Sequence, residues 1–178
     1  MGPRSLVSGM RMVKTIRLEK ENGVYFEVEA YNTRQSAVSW DLWLNTRLDG
    51  FVRSFVPVKS ESAVRVQEKE SGNMEYAICE GYFYYLTKSP SREQKQVNSK
   101  AFITPSQNWM AAFCDDLCFR IIYPETSAEG VHPGQGRVEV YNATFHDPAE
   151  NLTELEYHSN YRTLQPGESM KTWQRWEV

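Results

Sequence analysis

The chain has 178 residues, of which 40% are hydrophobic and 24% charged, and this composition excludes a disordered or fibrous protein. Lys and Arg together number 20 against 23 Asp and Glu, and the formal net charge of −3 argues against a strongly basic nucleic-acid-binding protein. The length suits one domain with a core large enough to fold without a disulfide or a metal ion.

The start of the chain, residues 1–9, contains one Arg and no apolar segment of the kind a signal peptide carries. We expect these residues to form a flexible arm ahead of a single domain at 10–178. The longest apolar runs are far shorter than the roughly 20 residues that a membrane-spanning helix needs. An odd number of cysteines, three, fits a reducing compartment. The sequence therefore predicts a cytoplasmic protein that does not contact a membrane.

Apolar and polar residues alternate with a period of two along most of the chain, and this pattern predicts strands rather than helices. Val24, Phe26, Val28 and Ala30, for example, share one face of a strand whose other face is more polar. In chain order, the predicted strands cover residues 12–18, 24–31, 37–46, 51–58, 63–67, 74–87, 101–104, 108–113, 118–123, 137–144, 152–158 and 170–178.

Turn signals separate these strands, and the polar stretch 88–98 predicts an exposed loop within the same domain. The turns fall at 21–23, 49–50, 71–73 and 164–168. A helix of more than one turn is not predicted, and the only helical candidate lies at 148–152. About ten to twelve strands at this spacing predict an all-β fold. We expect an antiparallel two-layer β-sandwich.

The strand at 152–158 carries the strongest candidate for acid–base chemistry. Alternation places Glu154, Glu156 and His158 on one face, and Leu155 and Tyr157 on the other. Carboxylates and an imidazole about 6–7 Å apart along one strand could act as general acid and base. The alternative is the solvent-facing side of an ordinary antiparallel strand.

A second candidate site lies in the strand at 37–46 and just beyond it, where Asp41, Trp43, Asn45 and Arg47 share a face. An indole beside such groups suits a sugar, because the C–H face of the sugar stacks on an aromatic ring and its hydroxyls need polar partners. The alternative is a Trp that covers a sheet edge. Trp109 is a further candidate ligand platform or, alternatively, a core residue.

Metal and nucleotide chemistry find little support in the sequence. Cys114 and Cys118 are separated by three residues, with no second Cys or His pair nearby, and nothing in their spacing brings His132 and His146 together. A Gly-rich phosphate loop and a GxSxG motif are both missing. We therefore expect neither a metal nor a cofactor.

The C-terminal region, with LEYH at 155–158, LQPGE at 164–168 and then a closing strand, resembles the aldose 1-epimerase (galactose mutarotase) superfamily. The resemblance implies an antiparallel super-sandwich that binds sugars on one sheet. An uncharacterised bacterial branch of that superfamily is similar over roughly residues 9–178, which correspond to the middle and C-terminal portion of a full-length super-sandwich. The motifs that carry this similarity are K-x-I-x-L at 14–18, V-S-W-x-L-W at 38–43, W-x-A at 109–111 and V-E-V-Y-N at 138–142.

By position, the resemblance implies that Glu156 corresponds to the catalytic glutamate, which takes the proton of the anomeric hydroxyl. His158 is the candidate acid, since the enzymes' H-x-Y-F-N motif falls on 40–45, where this chain has no histidine. The substrate-anchoring arginine of the enzymes lies in an N-terminal portion outside the match. We therefore expect a protein that binds a mono- or oligosaccharide without the full catalytic apparatus. The alternatives are an epimerase that uses Glu156 as general base and a non-catalytic interaction protein that forms a homodimer.

Overall fold

The computed structural model describes residues 2–19, 23–67, 74–86 and 96–178. This part of the chain forms fifteen strands and three single-turn 3-10 helices, Glu61–Ala63, Ala128–Gly130 and Pro148–Glu150. The strands are β1 (Met10–Leu18), β2 (Val24–Asn32), β3 (Val38–Trp40), β4 (Trp43–Asp49), β5 (Arg53–Pro57), β6 (Val64–Val66), β7 (Ala77–Cys79), β8 (Tyr82–Leu86), β9 (Gln96–Ile103), β10 (Trp109–Cys114), β11 (Leu117–Ile122), β12 (Val138–Phe145), β13 (Leu152–His158), β14 (Arg162–Leu164) and β15 (Ser169–Glu177).

The strands form two main antiparallel sheets and one small one. The large sheet has eight strands in the order β1-β2-β15-β11-β10-β5-β8-β7, and the second has five in the order β4-β13-β12-β9-β6. Strands β14 and β3 pair by themselves. The predicted all-β antiparallel sandwich is confirmed. No helix in the described part of the chain is long and apolar enough to cross a membrane.

The core lies between the two main sheets and fixes which face of the five-stranded sheet points outward. Leu155 and Tyr157 of β13 are fully buried. The Tyr157 ring stacks on Tyr123, which follows β11, with 4.7 Å between the ring centroids. The Tyr157 hydroxyl accepts a hydrogen bond from Thr172 of β15 at 3.4 Å. Because side chains alternate along a strand, Glu156 projects from the opposite face.

Two predicted long strands are each divided in two. The strand predicted at 37–46 breaks at Asp41 and Leu42, because the Leu42 backbone turns to Ser159: Leu42 N donates to Ser159 Oγ at 2.8 Å and Ser159 N donates to Leu42 O at 3.0 Å. The strand predicted at 74–87 breaks at Glu80 and Gly81, which both have positive φ angles (51° and 81°) and form the turn between β7 and β8.

The strand predicted at 101–104 is longer than expected, since β9 begins at Gln96, inside the stretch predicted to be a loop. Strand β14 was not predicted, because three residues are too few to show a period of two. The turn predicted at 71–73, the first two residues of the turn predicted at 21–23, and most of the predicted loop at 88–98 lie outside the described residues. The hairpin formed by β10 and β11 is confirmed.

Residues 2–9 run beside the start of β1. Gly2 N donates to Met12 O, and Ser5 N donates to Met10 O, each at 2.8 Å. The side chain of Arg34 donates to the carbonyl of Val7. These bonds connect the N-terminal segment to the edge of the large sheet.

Candidate functional site

Three neighbouring strands bring a charged cluster together on the outward face of the five-stranded sheet. In the sheet register Glu156 of β13 lies opposite Asn45 of β4 on one side and Glu139 of β12 on the other, and His158 lies opposite Trp43. Directly opposed residues have Cβ atoms about 5 Å apart, so these side chains are neighbours. The two glutamates and the histidine are buried.

Lys100 of β9 supplies a positive charge to both buried glutamates. Its Nζ lies 2.6 Å from Glu139 Oε2 and 3.0 Å from Glu156 Oε2. The lysine side chain is 20% exposed, whereas the side chains of Glu139 and Glu156 are 0% and 1% exposed. Burial lowers the pKa of Lys100, but the hydrogen bond to Glu139 and the charge of Glu156 outweigh that effect and raise it. The ammonium therefore stays charged and offsets the cost of the buried carboxylates.

His158 bridges two further carboxylates. Its Nδ1 lies 2.7 Å from Asp41 Oδ2, and its Nε2 lies 3.6 Å from Glu139 Oε1. Burial lowers the pKa of His158, but Asp41 and Glu139 outweigh it and raise the pKa to about 9. At neutral pH the ring is an imidazolium that donates from Nδ1 to Asp41. Lys100, Glu139, His158 and Asp41 thus form a chain of alternating charge, the Lys100–Asp41 chain.

The two glutamates differ in their proton affinity. Burial raises the pKa of Glu139, but the interactions with His158 and Lys100, together with a hydrogen bond from the Gly136 backbone, outweigh it, so the pKa is lowered. The Gly136 N–H donates to Glu139 Oε1 at 2.9 Å. Burial also raises the pKa of Glu156. At this residue the opposing effect of Lys100 is smaller than the effect of burial, so the pKa stays raised.

Trp43 joins this cluster to the surface. Its Nε1 donates to Glu156 Oε2 at 2.7 Å, and its ring lies nearly parallel to that of His158, at 11° with 6.3 Å between centroids. The indole is nevertheless 56% exposed. The other oxygen, Glu156 Oε1, is buried and has no hydrogen-bond partner among the described residues. The site thus has a fixed aromatic plane at its surface and an unused acceptor beneath it.

A cavity of about 600 Å³ lies at the edge strand β4, with both outward and inward side chains of that strand in its wall. This volume is within the range of roughly 300–1,000 Å³ that is typical of small-molecule sites. The wall combines aromatic and apolar side chains with charged and amide groups. The polar residues in it are Lys14, Asp41, Asn45, Lys100, Gln135, Glu156, His158 and Gln174.

A metal ion could in principle be held by Glu139, Glu156 and His158, whose ligand atoms lie within 4.8 Å of one another. Lys100, however, already places an ammonium 2.6 Å and 3.0 Å from the two carboxylates. A divalent ion would have to displace that charge. The arrangement is better suited to organic hydroxyl groups, which both donate and accept hydrogen bonds.

One protein-family model matches the whole chain. The model of a domain of unknown function, DUF4380, matches residues 1–178. The chain belongs to the DUF4380 family. The comparison with curated proteins gives no match.

Several solved structures share the fold of this DUF4380 chain. A TPR-domain containing protein from Parabacteroides distasonis is 18% identical, with a TM-score of 0.65, and the match covers 97% of this chain and 31% of that one. A provisionally assigned aldose 1-epimerase from Klebsiella pneumoniae is 10% identical (TM-score 0.60; 96% and 46% covered). Another from Escherichia coli K12 is 14% identical (TM-score 0.51; 99% and 62% covered). The chain spans about a third to under two thirds of these proteins. The resemblance to the mutarotase-like sandwich is confirmed as a likeness of fold.

The residues that sequence analysis singled out in the DUF4380 chain fall into three places. Five of them line the cavity at β4: Asp41, Trp43, Asn45, Glu156 and His158. Arg47 and Glu154 lie opposite each other, two residues further along the strands on the same face, and are not among the cavity-lining residues. Trp109 lies in the other sheet, where it lines a separate cavity of about 550 Å³.

Lys100 and Glu139 complete the cluster and were not predicted. The alternation of Val138, Glu139, Val140 and Tyr141 does place Glu139 on the outward face, so a signal was present. Lys100 offered no such signal, because it falls just before the strand predicted at 101–104. Its role depends on β9 extending back to Gln96.

Proposed function

We propose that the cavity at β4 binds a carbohydrate and that Trp43 is its stacking platform. The observation that carries this proposal is an indole 56% exposed yet held in place by its hydrogen bond to buried Glu156. An exposed aromatic ring with a fixed orientation suits the C–H face of a sugar ring.

The groups around Trp43 match the needs of sugar hydroxyls. Asn45 is exposed beside it and can donate and accept, and Glu156 Oε1 is an acceptor without a partner in the described structure. Asp41 and Lys14 add an acceptor and a donor to the same wall. Charged partners form stronger hydrogen bonds with hydroxyls than neutral ones do. The mixture of donors and acceptors favours a neutral polyol over an ion.

The likeness in fold to two provisionally assigned aldose 1-epimerases also supports a sugar ligand. Those names concern those proteins, and their chains are longer than this one. The likeness therefore favours a mono- or oligosaccharide as the ligand and carries no argument for a catalytic step.

A second candidate function, sugar epimerisation, is favoured by the pairing of Glu156 with His158. Their polar atoms lie within 4.8 Å of each other, and His158 is an imidazolium at neutral pH. Glu156 would take the anomeric hydroxyl proton while His158 gives a proton to the ring oxygen. The bond between the anomeric carbon and the ring oxygen breaks, and the open-chain aldehyde recloses from its other face. Both residues regain their protonation states on closure.

Trp43→Ala is expected to weaken sugar binding about fivefold, since stacking on an aromatic ring contributes roughly 1 kcal/mol. Intrinsic fluorescence titration of the wild type with a panel of aldoses and oligosaccharides identifies the ligand, and the same titration measures the variant. Trp109→Ala is the matched control, because Trp109 lies in the other sheet and should leave the affinity unchanged. A panel that gives no saturable signal, or an equal loss in both variants, would contradict the proposal.

Glu156→Gln is expected to lower the rate of mutarotation about 100-fold or more, because it removes the general base while keeping the side-chain shape. Polarimetry on the sugar identified by titration measures this rate. Glu154→Gln, on the same face but outside the cavity lining, is the control and should retain the wild-type rate. A normal rate in Glu156→Gln, or no acceleration by the wild type, removes the second candidate and leaves sugar binding in place.

A further inference from the structure

Arg137, immediately before β12, is a buried cation without an ion pair in the described structure. The residue is 4% exposed. Its Nη1 donates to the carbonyl of His158 at 2.6 Å, and its Nη2 donates to Ser127 O at 2.8 Å and Asn160 Oδ1 at 2.9 Å. All three acceptors are neutral. The Nε–H is buried and has no hydrogen-bond partner among the described residues.

A buried guanidinium is costly unless an anion accompanies it, because burial disfavours the charged form. Burial accordingly lowers the pKa of Arg137, and the charge of Asp41, which is not in an ion pair with it, offsets only part of this effect. Arg120 and Arg175, which pair with carboxylates in the described structure, lie at the surface. Arg137 thus has the burial that calls for a counter-charge and a donor left over to bind one.

A second cavity adjoins Arg137 and can hold such a partner. It has a volume of about 310 Å³ and is lined by Arg137 and by polar side chains that include Ser106, Asn108 and Thr126. Glu125 also lines it, but this side chain is exposed and makes no ion pair with Arg137. Hydroxyl and amide groups around a guanidinium are suited to the oxygens of a small anion.

We propose that this second cavity binds a small oxyanion, a carboxylate or phosphate group, which pairs with Arg137. The site is separate from the sugar cavity, whose wall does not include Arg137. The two are neighbours through the main chain, since Arg137 holds the carbonyl of His158 and the His158 N–H donates to Arg137 O at 3.0 Å. An anion bound to Arg137 would therefore lie close to the end of β13, which carries the His158 imidazolium.

Calorimetric titration of the wild type with inorganic phosphate and, separately, with malonate tests this inference at an ionic strength held constant with sodium chloride. Saturable binding of either anion supports the proposal, and the two titrations distinguish a phosphate site from a carboxylate site. Failure of both anions to bind with saturation overturns it. Sugar binding at β4 does not enter this measurement, so the two proposals fail separately.

Arg137→Gln is expected to weaken binding of the anion about tenfold or more, as expected for loss of a charge-assisted hydrogen bond. Arg53→Gln is the control: it removes the same charge from an exposed residue that lines a different cavity. Because Arg137→Gln also loses bonds that hold the chain, Ser106→Phe provides a second variant, which fills the cavity and keeps Arg137. Unchanged affinity in Ser106→Phe, or equal loss in Arg53→Gln, contradicts the site.

Discussion

Lys100→Met is expected to lower the free energy of unfolding by about 3 kcal/mol, because it leaves two buried carboxylates without their cation. The ammonium is within 3.0 Å of both Glu139 and Glu156, and methionine keeps the volume of the side chain without its charge. Urea denaturation at pH 7 measures the loss. The double variant Lys100→Met/Glu156→Gln should recover part of it, since one of the two stranded charges is then removed.

Lys171→Met is the matched control for this experiment. Lys171 pairs with Glu27 at 3.2 Å, but its side chain is 50% exposed, and exposed ion pairs contribute little to stability. We expect its unfolding midpoint to stay close to that of the wild type. If Lys100→Met is as stable as Lys171→Met, the charged cluster does not depend on Lys100.

The stability of the protein is expected to fall by about 3 kcal/mol as the pH rises through 9, from the titration of His158 alone. The pKa of His158 is raised from 6.5 to about 9 in the folded protein. The stabilisation is therefore complete below pH 6.5, where both states are protonated, and is lost as the pH passes the folded-state value. Urea denaturation at pH 6 and pH 10 brackets this window.

His158→Gln should remove this part of the pH dependence, whereas His132→Gln should retain it. His132 lies in the loop at 131–136 and is not among the residues of the charged cluster. Asp41→Asn is expected to narrow the window, because the Asp41 carboxylate contributes to the raised pKa of His158. An identical pH dependence in the wild type and His158→Gln would show that the imidazolium does not stabilise the folded state.

The strands that carry the site could be predicted because one of their faces is buried, which gives a period of two. For β13 the predicted bounds, 152–158, are the observed ones, and the pairing of Glu156 with His158 on one face follows from alternation. The proximity of Trp43 to Glu156 could not follow from any local pattern. It depends on β4 pairing with β13 across more than a hundred residues.

The contact between Asp41 and His158 could not be predicted, because it depends on the break in the strand at Asp41. A continuous strand from 37 to 46 would have kept Asp41 in the face of Trp43 and Asn45, at the end of an unbroken ladder. Instead the chain leaves β3, and Leu42 bonds to Ser159 just beyond His158. The Asp41 carboxylate reaches the imidazole from that bend. Leu42 and Ser159 are 117 residues apart, and a hydrogen bond between such distant residues cannot be predicted from a local sequence pattern.

The alternating signs of the Lys100–Asp41 chain have a consequence for what the cavity at β4 can attract. Two positive and two negative groups, at successive separations of 2.6 Å, 3.6 Å and 2.7 Å, sum to no net charge. Lys14 and Glu156 add one charge of each sign to the cavity wall, so the balance is kept. Their fields cancel within a few ångströms, well short of the Debye length of about 8 Å at physiological ionic strength. The cavity therefore does not attract ions over long distances, and its affinity for a ligand should depend little on ionic strength. If the proposed sugar binds there, it is distinguished at contact, by how its hydroxyl groups match the donors and acceptors of the wall.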